Sequence, residues 1–212
     1  MQLSKREAGK LQKEAAIVEK ARQLFCEHGF EQTSMNMLSE QTGFTKRTLY
    51  QYFVCKEDLF YAVILSGYKE LWQTVERSLK DAGGTGFERL ERAYFGFYKF
   101  YREQPGLLKL MGMTGAVKQA SEGMALVYRD RYFTFDQQMF ASIGTLFEQG
   151  QEDGSIRSDI GLAYLMYSAV FSLTGFFHML GVTGRGYLCV ADMDEETFIE
   201  TSLRLFLDSL KA

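Results

Sequence analysis

A single proline, Pro105, in 212 residues constrains this chain more than any other feature. Sandwiches and barrels need many turns, which proline and glycine usually punctuate, and they are built from alternating runs of Val, Ile and Thr. Such runs are scarce here. Apolar residues recur instead at three- and four-residue spacing, as in Ile17, Val18, Ala21, Leu24 and Phe25, so the pattern predicts an all-α protein. With 46% hydrophobic residues the chain has material for one fair-sized domain or two small ones, which argues against disorder.

A net charge of −3 excludes a uniformly basic nucleic-acid binder but leaves room for a local basic patch. The N-terminal tip carries Lys5, Arg6, Lys10 and Lys13 against Glu7. These cations either add phosphate contacts or belong to a disordered tail. Cys26, Cys55 and Cys189 are odd in number and far apart, which suits a reducing compartment better than a disulfide framework. The first apolar residues are interrupted by charge, so no signal peptide is expected and the chain reads as cytoplasmic. From Ile160 to Gly184 no residue is charged, and the run exceeds the ~20 residues that cross a bilayer. Polar residues are scattered through it, and its flanks lack Lys/Arg clusters. A soluble helix buried between its own core and a partner subunit would look the same. A single-span membrane protein is the alternative.

The periodicity and punctuation predict about nine helices. The first runs from about Leu11 to His28 and ends at Gly29. A short helix follows Thr33-Ser34, Gly43 breaks it, and Thr45 caps another through Tyr52. Two short helices joined by a tight glycine turn make a helix-turn-helix. A fourth helix begins near Lys56 and continues to Leu79, where the stretch 81–86 ends it. Thr85 and Glu88 form the capping box of a helix that reaches Gln104. An apolar piece from Leu107 to Met113 precedes a long helix from about Ser121 to Gln149. After a polar turn come the uncharged helix, a glycine-rich loop from Gly181 to Gly186, and a last helix from about Asp194 to Leu210.

Several landmarks between Gly29 and Phe60 occur together and in order: Gly29-Phe30, Thr33-Ser34, Leu38-Ser39-Glu40-Gln41-Thr42-Gly43-Phe44, Thr45 through Phe53, and Lys56-Glu57-Asp58-Leu59-Phe60. With them the chain resembles the DNA-binding domain of the TetR family of bacterial transcriptional regulators. Thr42, Phe44 and Arg47 depart from that family's usual alanine, valine and glycine. The resemblance implies a DNA-binding domain at 1–55 and a helical effector-binding and dimerisation domain at 56–212. It also places Thr33 and Ser34 at a phosphate and Lys56 at the head of the next helix. The residues support this independently. A recognition helix needs short side chains for close approach, cations for phosphate or guanine, and polar aromatics; Thr45, Lys46, Arg47, Thr48, Tyr50, Gln51 and Tyr52 supply that set. Arg47 suits base readout and Lys46 a phosphate. As an isolated pair they would read as a solvated face.

The expected partner is double-stranded DNA carrying a palindromic operator, bound by a homodimer, because one such domain binds weakly. The uncharged helix and the last one offer the interface through Tyr164, Tyr167, Ser168, Phe171, Ser172, Gly175, Phe198, Leu205 and Phe206. Most aromatics lie beyond residue 60. Trp72, Tyr94, Phe97, Tyr98, Tyr101, Met111, Met113, Tyr128, Tyr132, Phe135, Tyr167, Phe171 and His178 form a candidate wall for an apolar, flat small-molecule effector. Ordinary core packing is the alternative for each residue, and control by a protein partner is the alternative for the whole. No cofactor and no metal is expected. The glycine-rich stretches lack the Lys-Ser/Thr of a P-loop, and two histidines, His28 and His178, are too few for metal or nucleophilic chemistry, so the chain does not read as an enzyme.

Overall fold

The computed structural model describes residues 4–80 and 83–212, so residues 1–3 and two positions of the expected 81–86 turn lie outside the described residues. The described chain is all-α, as the periodicity predicts, with a lone antiparallel bridge between Ile156 and Lys211 as its only extended pairing. Its helices are α1 (Lys5–His28), α2 (Met35–Thr42), α3 (Lys46–Tyr52), α4 (Lys56–Leu79), α5 (Gly86–Glu103), α6 (Pro105–Met111), α7 (Thr114–Ala120), α8 (Val127–Glu152), α9 (Leu162–Met179), α10 (Arg185–Val190) and α11 (Glu195–Asp208). They fall into two compact units. One takes the chain up to Tyr68 together with Gly106–Phe135, and the other takes Lys69–Pro105 with Asp136–Ala212.

Besides helix α7, which the sequence reading did not include, three boundaries differ most from the sequence expectation, each for a local reason. Helix α1 starts six residues before Leu11, because Ser4 and Glu7 close a capping box with reciprocal bonds of 3.3 and 2.9 Å. The long helix expected from Ser121 begins at Val127, since Gly123 takes a left-handed φ of 80° and ends regular structure there. The expected glycine-rich loop at 181–186 is helical: a π-helical turn, Leu180–Gly184, leads into α10, with Leu180 and Leu188 buried on either side. Burial of those leucines outweighs the weak helix propensity of the glycines.

In the first unit the core is aromatic. Phe25 of α1, Phe30 of the following turn and Phe60 of α4 meet with ring centroids 5.0 to 6.2 Å apart in tilted or edge-on geometry. Leu38 and Leu49 bury the inner faces of α2 and α3. Asp58, 1% exposed, accepts hydrogen bonds from the backbone N–H of Val54 (3.3 Å) and of Tyr128 (3.0 Å). One carboxylate thus ties the turn after α3 to the first turn of α8, and the Phe53 and Tyr128 rings pack beside it at 5.3 Å.

In the second unit α5 buries Leu90, Tyr94, Phe97, Tyr98, Phe100 and Tyr101. Phe177 of α9 receives three of those rings, at 5.2 Å from Phe97, 6.2 Å from Tyr98 and 4.8 Å from Tyr101. The start of α5 meets the end of α8 at two glycines. The Gly86 N–H donates to Asp153 Oδ2 at 2.6 Å, and a Cβ on Gly86 would fall onto the backbone of Gly150. Gly86→Ala therefore forces backbone apart and is expected to cost about 2–3 kcal/mol. A urea midpoint equal to that of the wild type would refute this crossing.

Helix α9 and the π turn are long and apolar enough to cross a membrane. Leu165, Ala169, Leu173 and Phe177, four residues apart, bury one face of α9 in the second unit. The opposite face is exposed and apolar.

Candidate nucleic-acid interface

The helix-turn-helix is held by side chains in its turn. Ser34 caps α2, accepting from the Met37 N–H at 3.2 Å, and Gly43 closes the helix in the left-handed conformation at φ 70°. The Thr42 hydroxyl donates to the Leu38 carbonyl at 2.6 Å and accepts from the Phe44 N–H at 3.2 Å, while the Ser39 hydroxyl donates to the Phe44 carbonyl at 2.8 Å. Threonine at 42 thus supplies two bonds that an alanine lacks. Thr45 caps α3, accepting from the Thr48 N–H at 3.2 Å, and the two hydroxyls bond each other at 3.0 Å.

With Leu49 fully buried, the opposite side of α3 faces solvent. Lys46, Arg47, Tyr50 and Gln51 are exposed, and Thr48 and Tyr52 are half-buried. Lys46 and Arg47 make no ion pair among the described residues, so both cations are free for an external anion. Seven of the ten expected DNA-facing residues, Thr45 through Thr48 and Tyr50 through Tyr52, lie on this one short helix and its cap. Ser34 is exposed beside them in sequence at the start of α2.

Two residues differ from the expectation. Thr33 is 1% exposed and its hydroxyl donates to the Gly29 carbonyl at 2.8 Å, so it fastens the end of α1 rather than facing a phosphate. Lys56 is also committed inward. Its ammonium donates to the Phe30 carbonyl at 2.9 Å and sits 4.1 Å over the Phe30 ring, a cation–π contact that spends its charge inside the domain. Neither use is visible in sequence, because both partners belong to the turn after α1.

The expected effector wall is distributed over both units. Tyr94, Phe97, Tyr98 and Tyr101 are buried around Phe177 in the second; the Tyr94 hydroxyl donates to the Ala169 carbonyl at 3.3 Å, and burial pushes its phenol pKa well up. Trp72 is half-buried there, its indole N–H donating to Glu76 at 2.9 Å. Met111, Tyr128 and Tyr132 are buried in the first unit, with Met113 half-buried; Phe135 is half-buried at that unit's boundary. Burial, and then a hydrogen bond with Glu14, raises the Tyr128 pKa. Tyr167, Phe171 and His178 are on the exposed face of α9, where the Tyr167 ring stacks on Phe140 at 5.4 Å. Of the expected interface residues, Tyr164 is 80%, Phe171 70% and Leu205 65% exposed. Tyr167, Ser168, Ser172 and Gly175 share that exposure, and the half-buried rings of Phe198 and Phe206 flank Phe176 at 5.8 and 5.6 Å. Among the described residues no three His, Cys, Asp or Glu side chains group to hold a metal ion.

A capped, exposed, cationic second helix behind a glycine turn, within an all-helical chain, has the architecture of a helix-turn-helix. Residues 17–63 match the model of the tetR family of bacterial regulatory proteins. The HTH-type transcriptional repressor ComR of Escherichia coli is 49% identical over 49 residues, 23% of each chain. The HTH-type transcriptional regulator YfiR of Bacillus subtilis is 33% identical over 66 residues, 31% of this chain and 32% of that one. The matched stretches thus span a quarter to a third of those relatives. Along nearly the whole length the fold is that of two solved regulators. The fatty acid degradation regulator FadR of Bacillus halodurans has a TM-score of 0.70 at 15% identity, covering 92% of this chain and 94% of that one. The TetR family regulator PfmR of Thermus thermophilus has 0.66 at 22% identity, covering 91% and 97%. Residues 17–63 thus match the tetR family in sequence, and along nearly its whole length the chain has the fold of such regulators.

Proposed function

We propose that this protein is a cytoplasmic transcriptional repressor that binds a palindromic operator as a homodimer and is released by a small, mostly apolar ligand. The observation that carries the reading is the outer face of α3, where Lys46 and Arg47 stand exposed and unpaired next to Tyr50 and Gln51. Cations left without an internal partner on a capped helix suit phosphate and guanine. Repression is supported by the similarity to ComR, a transcriptional repressor, which is 49% identical over 49 residues. Helix α4 runs unbroken from the first unit into the second, so a ligand that displaces its far end would change the separation of two recognition helices. A half-site spacing of about 34–36 Å leaves little tolerance for that change. The tight ring packing around Phe177 favours a second reading, in which the same fold is governed by a protein partner and takes no small ligand.

The two cations separate by experiment. Arg47→Ala is expected to relax preference at one operator position by about 1–3 kcal/mol, and Lys46→Ala to weaken specific and random duplexes alike. Anisotropy titrations on an operator, on its single-base variants and on a random duplex measure both. Equal loss on all duplexes for Arg47→Ala would overturn its assignment to base readout.

A further inference from the structure

One face of α1 changes character along its length. Arg6, Lys10, Lys13, Ile17, Ala21 and Leu24 follow one another at three- and four-residue spacing and so share a single helix face. Its C-terminal half is buried in the first unit, while Arg6, Lys10 and Lys13 are exposed. The face that packs on protein at one end therefore presents cations at the other, where no apolar contact can hold it. The helix is nevertheless closed by its capping box at Ser4 and Glu7. Lys5, Arg6, Lys10 and Lys13 line an open groove whose other wall is Gln51 and Tyr52, the end of α3. None of the four cations makes an ion pair among the described residues.

We propose that the first three turns of α1 are a second DNA-contact site, which grips the phosphodiester backbone of the duplex beside the half-site that α3 reads. The inference rests on the DNA-binding reading of α3 and adds a site to it. The groove's chemistry fits a polyanion, four cations against the single carboxylate of Glu7, and its wall on α3 puts that polyanion in line with the duplex. Contacts of this kind strengthen binding without choosing sequence, and they strengthen its salt dependence.

The test uses the full-length protein, with a Lys10→Gln/Lys13→Gln variant and a Lys99→Gln/Lys109→Gln variant as a charge-matched control; Lys99 and Lys109 are exposed on α5 and α6. Binding is titrated over a salt series on an operator cut at the palindrome's ends and on one extended by flanking sequence. The slope of log K against log salt should fall by about 0.9 per cation removed, up to roughly 3.6 in a dimer, while the ranking of operator variants stays as in wild type. The longer duplex should bind the wild type and the control more tightly than the short one and lose that advantage in Lys10→Gln/Lys13→Gln. Should this variant unfold, neutral methylphosphonate linkages in the flanks, tested on the wild type, must remove the same advantage. A slope and a length dependence equal to the control's, or no effect of neutral flanks, would overturn the proposal while leaving the reading of α3 intact. A wild type that prefers no duplex sequence would overturn both.

Discussion

Placing aspartate at both Tyr164 and Phe171 should leave a monomer where the proposed α9 dimer forms and weaken operator binding at least a hundredfold, with the helical content unchanged. Both side chains are already exposed in the single chain, at 80% and 70%, so replacing them removes little from the folded protomer. In a two-fold dimer built on α9 the same face meets itself, and each substitution counts twice. Burying one large apolar side chain contributes about 1.5–3 kcal/mol, and a carboxylate forced into that contact costs several more. Four buried carboxylates exceed what a standard interface can offset. Operator affinity then falls because a palindrome is no longer read by two linked domains. Sedimentation at micromolar concentration, with anisotropy on a palindrome and on a half-site, measures both effects. A variant that stays dimeric would show that α9 is not the interface. A wild type that enters liposomes and does not stay in solution would favour the membrane reading of the same apolar helix.

The next largest effect is expected at Asp58. Asp58→Ala leaves the Tyr128 N–H without its acceptor in a buried place, and the Val54 N–H without its acceptor in a part-buried one. The buried Tyr128 N–H orphan costs about 1–3 kcal/mol and the part-buried Val54 N–H less, so a loss of about 2–4 kcal/mol follows, and a fall in melting temperature of roughly 4–16 °C. The carboxylate also sits in the first turn of α4, where the helix dipole favours a negative charge. Asp58→Asn keeps one acceptor oxygen but turns an N–H₂ group toward the other donor, so it should recover part of the loss and no more. The bond to Val54 follows directly on α3, so operator affinity should fall along with stability. An Asp58→Ala protein that melts and binds like the wild type would remove Asp58 from the account.

Local chemistry explains what the sequence disclosed and what it hid. The helix-turn-helix was legible because caps, glycine turn and amphipathic spacing lie within a few residues of one another: Ser34, Gly43 and Thr45 each act on a neighbour. The exposed cations of α3 were legible for the same reason, since Leu49 fixes which face is buried. Thr33 and Lys56 were not, because their partners come from the turn after α1, and only the folded chain brings the Phe30 carbonyl to an ammonium 26 residues away. The Asp58 bond to Tyr128 spans 70 residues and leaves no trace in periodicity. The helical reading of 181–186 was hidden by its glycines, whose propensity yields to the burial of Leu180 and Leu188. Aromatic richness likewise does not distinguish a ligand wall from a packed core. The rings of Tyr98 and Tyr101 against Phe177 belong to the core, whereas Phe171, six residues earlier on α9, faces outward.

The central claim is that α3 reads a specific duplex sequence. Its most direct test is selection of random and genomic duplex fragments on the purified full-length protein, run in parallel with a Lys46→Ala/Arg47→Ala variant at two salt concentrations. The account predicts an enriched palindrome, retained at the higher salt by the wild type and lost by the variant. Recovery of only weak, sequence-blind binding that salt erases equally in both proteins would contradict it.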